Sequence, residues 1–154
     1  MFKEIINEKF NNENTKELSL FDGEVTINVK RVISLYDAVL FTDGVADACV
    51  TEDGNYNPAF KEYMTKLSTL AYFTDIEAES FDDVTDEDYL AYTEFFATED
   101  FEKIIDCIDS DFYNQLLDAV DEKIDFKIEC YTCSLTSGTH EALNNIQNFL
   151  KGLE

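Results

Sequence analysis

One stretch near the start of the chain alternates hydrophobic and polar residues. In EVTINVKRVI (residues 24–33), Val25, Ile27 and Val29 occupy every second position, which is typical of a strand with one buried face. The preceding LSLFDGE predicts a shorter strand, joined to the first by a turn at Asp22 and Gly23. We therefore expect one small β element, a hairpin or a single strand, at about residues 18–33.

From Ser34 onward, hydrophobic residues recur at intervals of three and four positions, which is the period of a helix. Residues suited to helix starts precede the stripes: Ser34 with Asp37, Asn57 before Pro58, Thr85 with Asp88, Thr98, and either Asp109 or Ser110. The stripes predicted to face the core are Leu35, Val39, Val45 and Cys49; Phe60, Met64, Leu67 and Ala71; Tyr89, Tyr92 and Phe96; Phe101, Ile104, Ile105 and Ile108; and Phe112, Leu116, Leu117, Val120, Ile124 and Ile128.

These patterns predict a mainly α protein of the α+β class. We expect a helical domain of five to seven helices with a small N-terminal β-hairpin or strand. The first ten residues could add a short helix with a hydrophobic face made of Phe2, Ile5, Ile6 and Phe10. Length and hydrophobic content suit one domain with a core of its own.

The C-terminal residues predict a separate amphipathic helix. The stretch Ser-Leu-Thr-Ser-Gly at 134–138 is expected to break the preceding helix, which divides the chain into an acidic, mainly helical domain (1–133) and a C-terminal helix (134–154). That helix has one hydrophobic face, made of Ile146, Phe149, Leu150 and Leu153. The face either packs on its own domain or reaches another chain, and we predict it as a partner-binding surface.

Charge adds a second candidate surface. The formal net charge is −23, and residues 75–111 hold fifteen acidic residues against one lysine. Such a charge disfavours binding to nucleic acid or an anionic membrane and suits a basic protein partner. Acids in the first turns of helices face the positive end of the helix dipole. The acidic residues in the connection before the helix capped by Thr85 have no such role. They form either a partner surface or a solvated shell, and they are Asp75, Glu77, Glu79, Asp82 and Asp83.

The residues that could support catalysis or metal binding do not form a known motif. His140 is the only histidine, and no nucleophile motif accompanies it. Cys130 and Cys133 form a Cys-x-x-Cys pair without a second pair to complete a zinc site. The acidic loops that start at Asp53 and Asp83 depart from the EF-hand pattern at its sixth position. We therefore expect a non-enzyme without a cofactor or metal. The charged N-terminus lacks the apolar stretch of a signal peptide, which predicts free thiols in a reducing cytoplasm.

The segment from LFDGEVTINVKRVIS through GNYNP to KEYM, followed by AVDEKID, resembles small acidic proteins of tailed bacteriophages of Gram-positive hosts. The resemblance covers residues 20–130 and includes no catalytic motif, so it assigns no functional residue. It implies a phage accessory or virion-assembly protein. The Cys-x-x-Cys pair and the acidic stretch 75–111 are not part of the resemblance.

Two functions follow as hypotheses. The first is a virion structural or assembly component that acts through protein–protein contacts, as a homo-oligomer or in several copies. The alternative is an acidic inhibitor that mimics nucleic acid in the basic groove of a host defence protein or another nucleic-acid-binding protein. Carboxylates at i and i+4 of a helix lie about 6 Å apart, close to the roughly 7 Å between successive phosphates. Both hypotheses place the protein in the host cytoplasm, and the first also places it in the virion.

Overall fold

The computed structural model describes residues 3–4, 13–76 and 85–151, with side chains as far as residue 146. The chain forms a two-stranded hairpin followed by helices. The elements are β1 (Thr15–Leu20), a 3-10 turn (Phe21–Gly23), β2 (Val25–Lys30), α1 (Leu35–Cys49), α2 (Pro58–Phe73), α3 (Asp86–Phe95), α4 (Glu99–Cys107) and α5 (Ser110–Lys151). The predicted mainly helical fold with an N-terminal hairpin is confirmed. Apart from residues 3–4, the predicted helix of the first ten residues lies outside the described ranges.

The hairpin joins the helices through its turn and its second strand. β1 and β2 pair antiparallel, with Leu18 opposite Ile27 and Leu20 opposite Val25. The turn lies where Asp22 and Gly23 predict it, and Asp22 has a positive φ of 55°, a conformation that Asp tolerates better than most residues. Asp100 of α4 accepts a hydrogen bond of 2.8 Å from the backbone N–H of Phe21. This bond ties the turn to the start of α4.

Each helix start that was predicted from a capping residue is confirmed by a hydrogen bond. Thr85 and Asp88 form a complete capping box. The side chains of the other N-cap residues each accept a bond from a backbone N–H three positions later, which satisfies a donor that the helix leaves open. These residues are Ser34, Asn57, Thr98 and Asp109. Of the two candidates before α5, Asp109 is therefore the cap.

The core lies between the hairpin, α1, α2, α4 and the first half of α5. Its largest fully buried side chains include Phe41, Phe73, Leu20, Leu67, Leu70 and Ile104. Two of the predicted stripes are partly wrong. The buried face of α1 runs through Phe41, Val45 and Cys49, so Leu35 and Val39 lie to its side and are 83% and 48% exposed. In α2 the inner face turns to Leu70 and Phe73, which leaves Ala71 exposed.

Two tyrosines beside this core differ in hydrogen bonding. The Tyr113 hydroxyl lies 2.8 Å from that of Thr69, whereas the buried Tyr63 hydroxyl has no hydrogen-bond partner among the described residues. Burial raises the pKa of Tyr63 to about 12. A buried hydroxyl without a partner keeps its desolvation cost, so its removal is nearly neutral or stabilising.

We therefore expect Tyr63→Phe to leave the free energy of unfolding unchanged or to raise it by up to about 1 kcal/mol, whereas Tyr113→Phe lowers it by about 0.5–1.5 kcal/mol. Urea unfolding at neutral pH measures both values. Equal losses in the two variants would show that the Tyr63 hydroxyl is bonded in solution.

Helix α5 is continuous through residues 134–138, so the predicted break is wrong. The hydroxyls of Ser134, Thr136 and Thr139 donate to the carbonyl oxygens four residues earlier, at 2.8–2.9 Å. These bonds let Ser and Thr remain inside a helix, and Gly138 makes the helix weaker without ending it. The division into a domain 1–133 and a C-terminal helix 134–154 stays a prediction, although no helix boundary marks it.

Candidate functional site

The first two turns of α1 carry an exposed hydrophobic surface. Leu35 is 83% and Tyr36 is 71% exposed, and Val32, Val39 and Leu40 extend the same surface. Residues four apart on a helix are neighbours, so Leu35 lies beside Val39 and Tyr36 beside Leu40. We call these five residues the α1 patch. Exposed hydrophobic side chains that cluster in this way mark contact sites more often than single ones do.

Hydrogen bonds at its base hold the α1 patch in place. The Asn14 side chain bonds both the backbone N–H and the carbonyl of Val32, at 2.9 and 2.8 Å. The next residue back, Arg31, accepts a hydrogen bond from the Asp109 backbone N–H and forms an ion pair of 3.2 Å with the Asp109 side chain. The segment that leads into α1 is thus fixed to α5, so the patch is a preformed surface.

The second candidate surface is the C-terminal half of α5. Every residue from 132 to 146 is exposed, and we call this stretch the projecting segment. Its hydrophobic side chains Leu135, Leu143 and Ile146 are 54%, 52% and 56% exposed. Ile146 therefore lies on an open helix face. The side chains of Phe149 and Leu150, and all of Leu153, lie outside the described residues, so their role in partner binding stays a prediction.

Ion pairs fix the direction in which the projecting segment leaves the rest of the described structure. We call that part, residues 13–76 and 85–131, the body. Lys123 pairs with Asp43 at 2.7 Å, and Lys127 pairs with Asp47. Because both residue numbers rise by four from one pair to the next, α5 runs parallel to α1. By this register Leu35 lies level with about residue 115 of α5. Leu35 and the start of the projecting segment at Thr132 are therefore separated by roughly 25 Å along the axis, at 1.5 Å per residue.

Among the described residues, a close contact between Gly54 and Tyr131 lies directly before the exposed projecting segment. Gly54, in the loop after α1, has a φ of +73°, and the ring of Tyr131 occupies the space of its missing side chain. Beyond this contact, residues 132–146 of α5 are exposed. The root of the projecting segment is therefore held by the Tyr131 ring and by the ion pair of Lys127.

The acidic connection predicted as a partner surface is only partly described. Glu77, Glu79, Asp82 and Asp83 lie outside the described residues. Asp75 has a structural role that the sequence did not indicate: it accepts hydrogen bonds of 2.8 Å from the backbone N–H and the side chain of Asn28. These two bonds hold the pKa of Asp75 below its usual value. Asp75 thus fixes β2 to the end of α2, and its contact with a partner stays a prediction.

The described residues show where the candidate metal-binding and nucleophilic side chains lie. They include no group of three or more His, Cys, Asp or Glu side chains placed to hold a metal ion. All four cysteines are free; Cys49 and Cys107 are buried, whereas Cys130 and Cys133 are exposed on α5. His140 is exposed on the projecting segment. Within the described ranges, no helix is long and apolar enough to span a membrane.

Sequence reasoning missed the α1 patch, although a signal for it was present. Leu35-Tyr36 and Val39-Leu40 are adjacent hydrophobic pairs, and Phe41 follows directly. Hydrophobic residues thus cover a wider arc of α1 than one buried face needs.

No family model, no curated protein and no solved structure matches the chain.

Proposed function

We propose that this chain is a non-enzymatic assembly protein that joins protein subunits through two hydrophobic surfaces. The observation that carries the proposal is the presence of the α1 patch and the projecting segment at different ends of the α1–α5 pair. An assembly component needs at least two contact surfaces, because one closed contact yields only a pair. The resemblance to phage proteins implies a virion as the setting, with the protein present in several copies.

The distribution of charge supports contact through the projecting segment. A net charge of −23 makes copies of the body repel one another. Residues 130–151 contain one acid, Glu141, and one base, Lys151, so this part of the chain is nearly neutral. Hydrophobic contact there is opposed least by repulsion.

The composition of the projecting segment also supports a contact role. Thr132, Ser134, Thr136, Ser137, Gly138 and Thr139 lie within it. Together they cost a helix about 3–4 kcal/mol relative to alanine. Helices in water gain most of their stability from packing, and this one extends past the described body. A partner that covers it would supply the missing packing.

The acidic inhibitor remains the alternative. Several acids of the 75–111 stretch already bind groups of the chain itself, which makes them poor substitutes for phosphates. These are Asp75, Asp88, Asp100 and Asp109, which hold backbone N–H groups, a lysine or an arginine. Exposed acids of α4, such as Glu99, Glu102 and Asp106, would have to carry the mimicry.

The two functions respond differently to salt and to mutation, which gives the test. We expect Leu35→Asp with Val39→Asp, and separately the removal of residues 135–154, to lower retention of specific partners in a pull-down from host lysate at least tenfold. Retention by the unchanged chain should persist at 1 M NaCl, because hydrophobic contacts are not screened. Quantitative mass spectrometry measures the retained proteins.

Leu90→Asp is the matched control, since Leu90 is 62% exposed on α3 and belongs to neither surface. It should retain the same partners, and circular dichroism should show all variants folded. Partners that are released by salt, and held equally by every variant, would contradict the assembly function and favour the acidic inhibitor.

A further inference from the structure

The projecting segment carries a seven-residue repeat. Its small and hydrophobic side chains alternate at intervals of four and three residues on one face of α5. With the letters of a heptad, the a positions are Thr132, Thr139 and Ile146, and the d positions are Leu135 and Ala142, preceded by Ile128 at the d position just before the segment. Among the described residues, all of them except the half-buried Ile128 are exposed. A face of this kind is the seam through which helices pair in a coiled coil.

We infer that the projecting segments of two copies of this chain pair as an antiparallel coiled coil. The inference deepens the proposed function and rests on it, since it names a second copy as the occupant of one contact surface. Residues 130–151 have no net formal charge, so the segment offers little attraction to a strongly basic or acidic partner. A second copy presents the same hydrophobic seam and the same neutrality.

The charge of the bodies decides the direction. Of the net charge of −23, −22 lies in residues 1–129 and −1 lies at Glu154. In a parallel pair the two bodies would meet at the same end of the coiled coil. In an antiparallel pair they lie at opposite ends, about 22 Å apart for the fifteen residues 132–146. This separation exceeds the Debye length of about 8 Å at physiological ionic strength, so the repulsion is screened.

The pattern of side chains fits the antiparallel direction. Because an a position then meets a d position, Thr139 of one copy lies opposite Ala142 of the second copy. One turn outward, Leu135 lies opposite Ile146 of the second copy. The small pair at the centre, with Gly138 beside it, lets the two helices approach closely. The larger pairs on either side fill the seam.

Disulfide formation between introduced cysteines tests both the pairing and its direction. In chains that carry Cys130→Ser and Cys133→Ser, one preparation receives Thr139→Cys and another Ala142→Cys. After mixing and oxidation with diamide, the antiparallel pair should yield mixed disulfide dimers at least tenfold faster than either preparation alone. Glu141→Cys, on the outer face of the same turn, is the control for random collision.

Sedimentation velocity completes the test. The unchanged chain should sediment as a dimer or larger species, and Leu135→Asp with Ile146→Asp should reduce it to a monomer without altering thermal unfolding of the body. Faster disulfide formation by each preparation alone would overturn the antiparallel direction, since equal positions meet in a parallel pair. Rates no higher than that of Glu141→Cys, together with a monomeric unchanged chain, would overturn self-pairing. In that case the proposed function would still stand if removal of residues 135–154 released a partner.

Discussion

Replacing Phe73 with alanine is expected to lower the free energy of unfolding by about 3–5 kcal/mol. The Phe73 side chain is completely buried. Its ring meets that of Phe41 in α1 at 6.3 Å between centroids, and those of Phe112 and Tyr113 in α5 at 6.3 and 5.9 Å, all edge to face. Alanine would leave a cavity where α1, α2 and α5 meet. Since domains are stabilised by only about 5–15 kcal/mol, the variant should be close to unfolding.

Urea unfolding followed by circular dichroism measures this loss. Phe73→Leu should lose less, because leucine fills part of the cavity. Phe126→Ala is the matched control: Phe126 lies on α5 and is 61% exposed, so its loss should stay within about 0.5 kcal/mol. If Phe73→Ala were as stable as Phe126→Ala, the packing of α2 against α5 would be wrong.

Gly54→Ala is expected to cost about 2–4 kcal/mol, because it combines two penalties. A φ of +73° is strained for alanine, which costs about 1 kcal/mol. In addition, the new methyl group would overlap the ring of Tyr131, and such overpacking costs about 1–3 kcal/mol. The variant should therefore detach the root of the projecting segment as well as lower stability.

The chain offers a control that separates these penalties. Gly23 also has a positive φ, of +93°, but no described atom lies within 4 Å of its missing side chain. Gly23→Ala should therefore show the backbone cost alone. Adding Tyr131→Ala to Gly54→Ala should recover the part due to overlap. Equal losses for the two glycine variants, measured by thermal unfolding, would show that the Tyr131 ring does not rest on Gly54.

The helix starts could be predicted because the interactions that fix them are local. Thr85 and Asp88 lie three residues apart and satisfy each other's backbone donors, so no knowledge of the rest of the fold is needed. The Asp22-Gly23 turn belongs to the same class. The role of Asp75 could not be predicted in this way, since its partner Asn28 is 47 residues away.

The candidate surfaces were only partly predictable for the same reason. Leu35 and Phe41 are equally suited to burial, but they lie on different faces of α1. Which of these faces is buried depends on where α2 and α5 pack against α1. Leu135 was overlooked because it lies in the stretch predicted to break the helix. Serine, threonine and glycine lower helix propensity, but bonds from hydroxyls to backbone carbonyls offset part of that effect. Ile146 was predicted because its spacing is helical whatever precedes it.

The continuity of α5 has a consequence for the spacing of assembled copies. With 42 residues, the helix is about 63 Å long, and no joint separates its packed half from its open half. One inserted residue would turn the distal seam by about 100° and advance it by about 1.5 Å, which would aim a docked neighbour in a new direction. An insertion of seven residues would nearly restore the direction and change only the distance. Insertions or deletions of seven residues in α5 of related chains would therefore change the distance between assembled copies in steps of about 10 Å while keeping their orientation.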